Sequence, residues 1–458
     1  MTIMNRTSIL HVLALTGFAT INTACTVLGP DYVRPPMDMP AAYKEASELT
    51  APQVRNVSTD EHWWALYNDD QLNELIVQVE SRNYSLQAME ARVQQAQALT
   101  DAARAAQFPT LGCCTNLGTK VVGGSIKNFG LLANWEIDLW GRIRRNIEAS
   151  GATAEASIAD LAAATMSLQA QLAQNYFLLR VQDAEIRLLQ DTVTSYKQSL
   201  KITSNQHAVG VASRGVIVQA QAQLGAAQAQ MLDARVARAQ LEHAIAVLIG
   251  KAPADFSFAV ESLNEKVPTI PAALPSDLLE RRPDIAAAER RMAAASAQIG
   301  VARAAAYPSI SLFAGLSISR SVVGASVAAP LLGTGAIHAQ STKAEAVYYE
   351  TVANYRQAVL NGLREVEDNL AVLQILDEAA KVQAAAVKAA REVAAITYNQ
   401  YRNGIVDYLP VIVAQTTALS DERIALNMLG RRLVASVTLI KALGGGWEPP
   451  KPKESKKQ

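Results

Sequence analysis

Charge of one sign, aromatic side chains and cysteine are all scarce in this chain of 458 residues. Lys and Arg number 42 and so do Asp and Glu, so no net positive field is available to hold a nucleic acid. Aromatics make up 5% although half the chain is hydrophobic, which leaves Ala to supply much of the apolar content. Three cysteines, Cys25, Cys113 and Cys114, cannot build a disulfide framework. Because Cys113 and Cys114 are adjacent, a strand would point them to opposite faces, away from a shared bond or metal. The histidines, His11, His62, His207, His243 and His338, are never four apart. No phosphate loop, nucleophile elbow or Cys/His cluster accompanies them, so the sequence predicts no enzyme, no cofactor and no metal.

Proline is missing over two long stretches, Thr110 to Ala252 and Leu331 to Leu409. It is concentrated instead at Pro30 to Pro52, Pro253 to Pro275 and Pro449 to Pro452. The first of these segments cannot be one helix and should lie extended over something else. The tail beyond Trp447, EPPKPKESKKQ, has the composition of a disordered end. The proline-free stretches predict long helices, Arg142 to Asn205 and about His338 to Asn403, each roughly 95 to 100 Å at 1.5 Å per residue. Helices of that length need lateral partners along their whole course.

A spacing of alternately four and three runs through Leu168, Leu172, Asn175, Leu179, Gln182, Ile186, Leu189, Val193, Tyr196 and Leu200, the seam of a coiled coil. Val359, Leu363, Val366, Leu370 and Leu373 begin the same seam in the second stretch. Gly210 and Gly404 follow the two long helices and suit a left-handed terminal residue, after which a helix returns to near Ile249 or Leu443. The first helix and the returning helix of each stretch, stacked end to end, are long enough to flank the long one. A coiled-coil scaffold alone would explain these features equally well.

The chain is also internally repeated. Moving it by 199 positions lays Asn83 to Leu111 over Arg282 to Ile310 without a gap. Most of the matches are Ala on Ala, but Glu90/Glu289, Arg92/Arg291, Arg104/Arg303 and Pro109/Pro308 also coincide. In the second copy a helix starts at Pro283, and after Tyr307-Pro308 the period changes from helical to two. Ile310, Leu312, Ala314, Leu316 and Ile318 then share one face and Ser309, Ser311, Gly315, Ser317 and Ser319 the other, with Phe313 the misfit. In the first copy Phe129, Leu131, Ala133, Trp135, Ile137 and Leu139 alternate with Asn128, Gly130, Asn134, Glu136 and Asp138, Leu132 being the exception. Leu111, Cys113, Thr115, Leu117 and Thr119 form a milder apolar face, and Val323 to Leu331 alternates weakly. The GTG at Gly333 to Gly335 reads as a turn from strand to helix.

Strands of about ten residues with one apolar face match the span of a transmembrane β-barrel. Four cannot close one, and an open edge in lipid leaves backbone groups unpaired at several kcal/mol each. Such a barrel must therefore be shared between chains, two, three or four of them. A soluble sheet with one wet face is the plainer reading, against which stand the long helices that both hairpins enter. Leu131, Trp135, Ile310, Leu316 and Ile318 should face lipid, and Asn134, Glu136 and Asp138 the lumen or its periplasmic mouth. The polar face offers no pocket that would select a solute, so drugs, detergents, aromatic acids and metals are equally open as cargo.

At the N-terminus Arg6 is the one charge before a mostly apolar run, Ile9 to Ile21, that is too short to span a bilayer comfortably. With Thr23-Ala24 before Cys25, this reads as an export signal over residues 1–24. It resembles a bacterial lipoprotein signal in which Cys25 becomes the lipidated first residue, with Asn22 where that pattern favours Leu.

Four motifs carry a wider resemblance: HWWALYNDDQLNEL (His62 to Leu75), EIDLWGRIRR (Glu136 to Arg145), LPSDLLERRPDI (Leu274 to Ile285) and KALGGGW (Lys441 to Trp447). Together with LGPDYVRPP after Cys25, they look like signatures of the outer-membrane efflux proteins, the NodT and OprM-type lipoproteins of the TolC-like group. The resemblance implies a mainly α protein with membrane β, two tandem repeats forming a long helical coiled-coil barrel. Four strands per chain, twelve in a homotrimer, would make the shared transmembrane β-barrel. It implies an exit duct in outer-membrane lipid, reaching into the periplasm and served by a periplasmic adaptor and an inner-membrane pump of the resistance-nodulation-division type. A passive porin conflicts with the long helices, and a soluble coiled-coil adaptor with the four amphipathic strands.

The expected organisation is a signal at 1–24, an N-terminal periplasmic segment at 25–82, repeat 1 at 83–250, a Pro-rich connector at 251–281, repeat 2 at 282–443 and a tail at 444–458. A duct has to close at its periplasmic end when idle, and Gly210 and Gly404 mark where both repeats turn. Asp407 and Tyr408, beside Arg214 and Arg402, are the candidate gate, with capping of the next helix as the plainer role for Asp407. The chain departs from the family at this tip: Pro410, Val413 and Thr416 stand where two acids and an Arg are usual, and Gly215-Val216 where Leu-Asp is. The gate should therefore rest on apolar contact more than in its relatives.

Overall fold

The structure is a computed structural model that describes residues 27–45, 62–117, 127–261, 263, 266–268, 270, 275–317, 321–330 and 334–447. The export signal, Cys25, Thr119, Ile318, Ser319, Leu331, Gly333 and the tail beyond Trp447 lie outside the described residues. A 3-10 turn at Trp63–Tyr67 precedes α1 (Asp70–Arg82) and α2 (Tyr84–Ala105). There follow β1 (Thr110–Leu117), β2 (Lys127–Ile137), α3 (Arg142–Ala208) and α4 (Arg214–Leu248). After the short α5 (Leu278–Arg281) the order repeats as α6 (Pro283–Ala304), β3 (Ser309–Ser317), β4 (Ser321–Ala328), α7 (Thr334–Arg402) and α8 (Tyr408–Ala442). Helix, hairpin, long helix and returning helix thus occur twice in the same order. Gly335 lies within the first turn of α7, because that helix begins four residues earlier than the expected start at His338. Among the described residues no helix is long and apolar enough to cross a membrane.

The chain divides into two compact units that cut across the two copies. One comprises Met1–Asp38, Met89–Leu161 and Asp284–Val359, and the other Met39–Ala88, Ala162–Pro283 and Leu360–Gln458. The first unit holds one antiparallel sheet in the order β1-β2-β3-β4, with β1 and β4 at its edges. Prolines force the chain out of each helix just ahead of a strand, and tryptophans tie these joints: Trp135 Nε1 donates to the Gln107 carbonyl at 2.9 Å and Trp140 Nε1 to that of Pro308 at 2.7 Å.

Below the sheet the N-terminal segment runs extended, as its prolines require. Leu28 N–H donates to the Trp140 carbonyl at 3.1 Å. Arg145 gathers the Leu28 carbonyl (3.2 Å), the Gly29 carbonyl (3.4 Å) and the Asp31 carboxylate (2.7 Å) on its guanidinium. Gly29 has φ +93°, and a Cβ there would stand 2.5 Å from Gly300 Cα; only two glycines let strap and helix α6 approach this closely. Further along, the Tyr32 hydroxyl donates to Glu289 (2.6 Å) and Arg34 Nη2 to the Tyr355 hydroxyl (2.9 Å), so the strap is fastened to α3, α6 and α7.

In the second unit the α3 seam buries Leu172, Leu179, Ile186, Leu189, Val193 and Tyr196. Its partners on α4 are Ala227 and Ala234, one heptad apart, whose small side chains admit close helix approach. The Pro-rich connector is pinned by buried charge: Arg238 pairs with Asp183 at 2.7 Å and with Glu242 at 2.8 Å and also donates to the Phe258 carbonyl. Arg180 lies over the Phe258 ring at 4.5 Å and donates to the Ala259 carbonyl at 2.7 Å. Desolvation lowers the Arg238 value but the Asp183 and Glu242 carboxylates outweigh it, holding the guanidinium above its ordinary range.

Candidate functional site

Direct cross-strand partners share a face of an antiparallel sheet. Applied to the observed register, this puts Leu111, Cys113, Leu131, Ala133, Trp135, Ile137, Ile310, Leu312, Ala314, Leu316, Val323, Ala325 and Val327 on one face. Apart from Ser321, which pairs with Leu316 at the start of β4, the described residues of this face are apolar, and the face is bare: Leu111, Leu316, Val323 and Val327 are all more than half exposed. The opposite face carries Asn134, Glu136, Ser311 and Ser326. An apolar surface of this extent, open to solvent on a single chain, marks a contact with lipid or protein.

Three bulky residues, Leu132, Phe313 and Val322, break the polar face, and the first two have a local cause. Phe313 pairs with Gly324, and a Cβ on that glycine would meet the ring at 2.5 Å; the ring therefore covers the bare backbone opposite. Leu132 pairs with Gly315, whose added Cβ would lie 3.7 Å from Leu132 Cδ1. The sequence marked both residues as exceptions but could not name their partners.

Alternation was expected to continue to Leu139, yet β2 stops at Ile137. Asn134 and Glu136 sit on the polar face, whereas Asp138 lies beyond the strand. Its carboxylate accepts the N–H groups of Ile143 (3.0 Å) and Arg144 (2.9 Å), satisfying donors that the first turn of α3 leaves open. Arg144 Nε returns to the same carboxylate at 3.1 Å. Glu136 meets Arg142 through two bonds, Nε to Oε1 at 3.1 Å and Nη2 to Oε2 at 2.7 Å. Sequence reading passed over Arg142, Arg144 and Arg145 as chemistry. Their signal was three cations in the first turn of a helix, where the dipole disfavours positive charge.

At the other candidate site, Gly210 and Gly404 adopt φ +79° and +72°, the left-handed ends expected of them. Val211 N–H closes on the Gln206 carbonyl and Ile405 N–H on that of Gln400, so both turns are built alike. Tyr408 is buried among Ala220, Tyr401 and Val411, and so does not project from the tip. Its ring lies 5.2 Å from that of Tyr401, whose hydroxyl is 2.7 Å from Thr203 Oγ1. Burial pushes the Tyr408 hydroxyl up to about 12, with Tyr401 and Tyr196 adding to the effect. Asp407 occupies the N-cap of α8 with its side chain making no capping bond. Asp407, Arg214 and Arg402 are exposed, and among the described residues no ion pair joins them. Exposed apolar residues do crowd this end: Val209, Val211, Ile405, Leu409 and Val413.

Comparison with known proteins places these features in a wider set. A family model described as outer membrane efflux protein matches the chain twice, over residues 75–251 and 274–445. The cation efflux system protein CusC of Escherichia coli O6:H1 is 29% identical over 448 residues, 93% of this chain and 96% of the relative. The toluene efflux pump outer membrane protein TtgC of Pseudomonas putida is 28% identical over 462 residues, 95% of each chain. Among solved structures, the outer-membrane channel OprN superposes with a TM-score of 0.82 at 30% identity, covering 92% of this chain and all of that one.

Proposed function

Since the chain belongs to the outer membrane efflux protein family, we propose that three copies of it build one exit duct. The duct would pass small toxic compounds from an inner-membrane pump of the resistance-nodulation-division type, through a periplasmic adaptor, to the exterior. The observation that carries this reading is the bare apolar face of the four-stranded sheet, with both edge strands unpaired. In hydrocarbon an unpaired edge loses several kcal/mol per backbone group, so β1 of one copy has to meet β4 of the next. The polar face then lines the pore, with Asn134 and Glu136 in the wall and Asp138 at the mouth.

In this reading the chain catalyses nothing and the pump supplies the energy. Residues 83–250 and 282–443 are the tandem units, joined by the connector at 251–281, with 25–82 as a periplasmic segment and 444–458 as a tail. Cys25 carries the lipid anchor, and Leu28, three residues on, is fixed to Trp140 just past the end of β2. The periplasmic gate lies at the paired turns. Tyr408 acts there through the buried Tyr401–Thr203 contact, and the exposed Asp407, Arg214 and Arg402 present charge around it.

Purified membranes test the whole reading. Outer-membrane fractionation followed by detergent sizing should return a trimer that conducts ions in planar bilayers, and Cys25→Ser should abolish palmitate labelling while leaving some inserted trimer. A soluble monomer would point to a coiled-coil adaptor instead.

A further inference from the structure

Glu136 is the one acidic residue in the four strands, and it sits on the polar face at the strand end next to α3. Left alone, three such carboxylates around one pore mouth would attract cations and repel anions. Arg142 prevents this through a two-pronged pair with both Glu136 oxygens. Asp138 is likewise matched by Arg144, through Nε to its carboxylate and Nη2 to its carbonyl at 3.1 Å. Each copy therefore contributes two acids and two cations to the same ring, with no net charge.

The placement of the cations is costly in itself. Arg142 and Arg144 occupy the first turn of α3, the positive end of the helix, which holds no acidic residue of its own and takes its negative charge from the Asp138 carboxylate just outside it. The second copy supplies the contrast: β4 reads SVVGASVA without an acid, and α7 opens TGAIHAQ without an Arg. Acid and Arg are present together in one copy and absent together from the other, as expected if each exists to offset its partner.

We infer that Arg142 is a selectivity-determining residue: by neutralising Glu136 it keeps the barrel mouth indifferent to the sign of the passing solute. The substrate class that follows is broad, with anions, cations and neutral compounds all admitted at this level of the pore. This rests on the reading that the polar face lines a shared barrel.

The test compares wild type, Arg142→Gln, Glu136→Gln and the double variant as purified full-length channels in planar bilayers under a salt gradient. Arg142→Gln should raise the cation-to-anion permeability ratio by about threefold or more, since three carboxylates are freed in a narrow ring. Glu136→Gln should shift the ratio the other way, and the double variant should return it to the wild-type value. Arg142→Lys, which keeps the charge, guards against a folding defect and should stay close to wild type. Channels that conduct while all four ratios coincide would overturn the inference alone. Wild-type protein that forms no channel at all would instead overturn the duct.

Discussion

Asn83 Nδ2 donates to the main-chain carbonyl of Leu248 at 2.8 Å, closing the end of α4 onto the start of α2. Arg282, 199 positions later, does the same work in the second copy, donating to the carbonyl of Ala442 at 3.2 Å. The side chains differ, yet both satisfy a terminal carbonyl that the returning helix cannot pair internally. Glycine completes each joint. A Cβ on Gly250 would stand 2.4 Å from the Arg82 carbonyl oxygen, and one on Gly444 would stand 2.2 Å from that of Arg281. The repeat is thus a repeat of contacts as well as of letters, and the first glycine of KALGGGW has its cause in this approach.

Gly250→Ala and Gly444→Ala should each destabilise the protein. Positive φ alone costs a non-glycine residue roughly 1 to 2 kcal/mol, and here the added methyl also strikes backbone, which has nowhere to move. Gly210→Ala and Gly404→Ala are the controls, with similar φ and nothing within 4 Å of an added Cβ. Thermal melts in detergent should rank the first pair clearly below the second. Equal losses would mean the clash is relieved.

Arg145 should matter far more than the acid it pairs with. Asp31 is 93% exposed, so that ion pair is worth about 1 kcal/mol or less, and Asp31→Ala should be nearly silent. Arg145 is itself buried and holds two strap carbonyls as well, so Arg145→Ala should cost about 2 to 4 kcal/mol by leaving them unpaired. Limited proteolysis of the N-terminal segment would read the difference directly.

Local rules made much of this fold legible. Pro109 and Pro308 gave the helix-to-strand joints, Gly210 and Gly404 the helix ends, and the four-three spacing from Leu168 the buried seam. What escaped depended on partners distant in sequence. Phe313 and Leu132 looked like errors because their cover, Gly324 and Gly315, is known only once the register is. Asp138 continued a period of two, but the chain had already left the strand to cap α3. Asp407 and Tyr408 read alike as gate candidates because a helix start does not say which side packs inward; Tyr401, seven positions back across a turn, shows that Tyr408 does.

The sheet faces make a depth-dependent prediction. Arg at Leu316, on the bare apolar face, should cost about 2 to 4 kcal/mol near the bilayer midplane, whereas Arg at Ser311 on the polar face should cost much less. Urea refolding into lipid vesicles measures both. Equal tolerance would rule out the assignment of faces. Gly324→Ala adds a separate check, since its methyl should dislodge the Phe313 ring on the polar face and leave the apolar face untouched.

Alkaline titration should loosen the helix-end turns through Tyr408. A phenol that the fold keeps neutral contributes its stability in full below the unfolded value near 10. That contribution is lost as pH rises from there toward about 12, where the buried Tyr408 ionises. The Ser199 hydroxyl lies near this phenol without forming a hydrogen bond of ordinary geometry, so Tyr408→Phe gives up little and should leave neutral-pH stability nearly unchanged. Wild type should therefore lose melting temperature between about pH 10 and 12 more steeply than Tyr408→Phe, and its single-channel conductance should rise over the same window. Tyr401 is also shifted upward by burial, but it is present in both proteins and cancels in the comparison. Tyr408→Ala, which empties the cluster around Ala220 and Val411, should raise conductance already at neutral pH, and Asp407→Ala should do so only if its exposed charge acts on the pore. Parallel pH slopes for wild type and Tyr408→Phe would show that this hydroxyl meets water, and the gate would then have to be sought among the exposed residues Val209, Ile405 and Leu409.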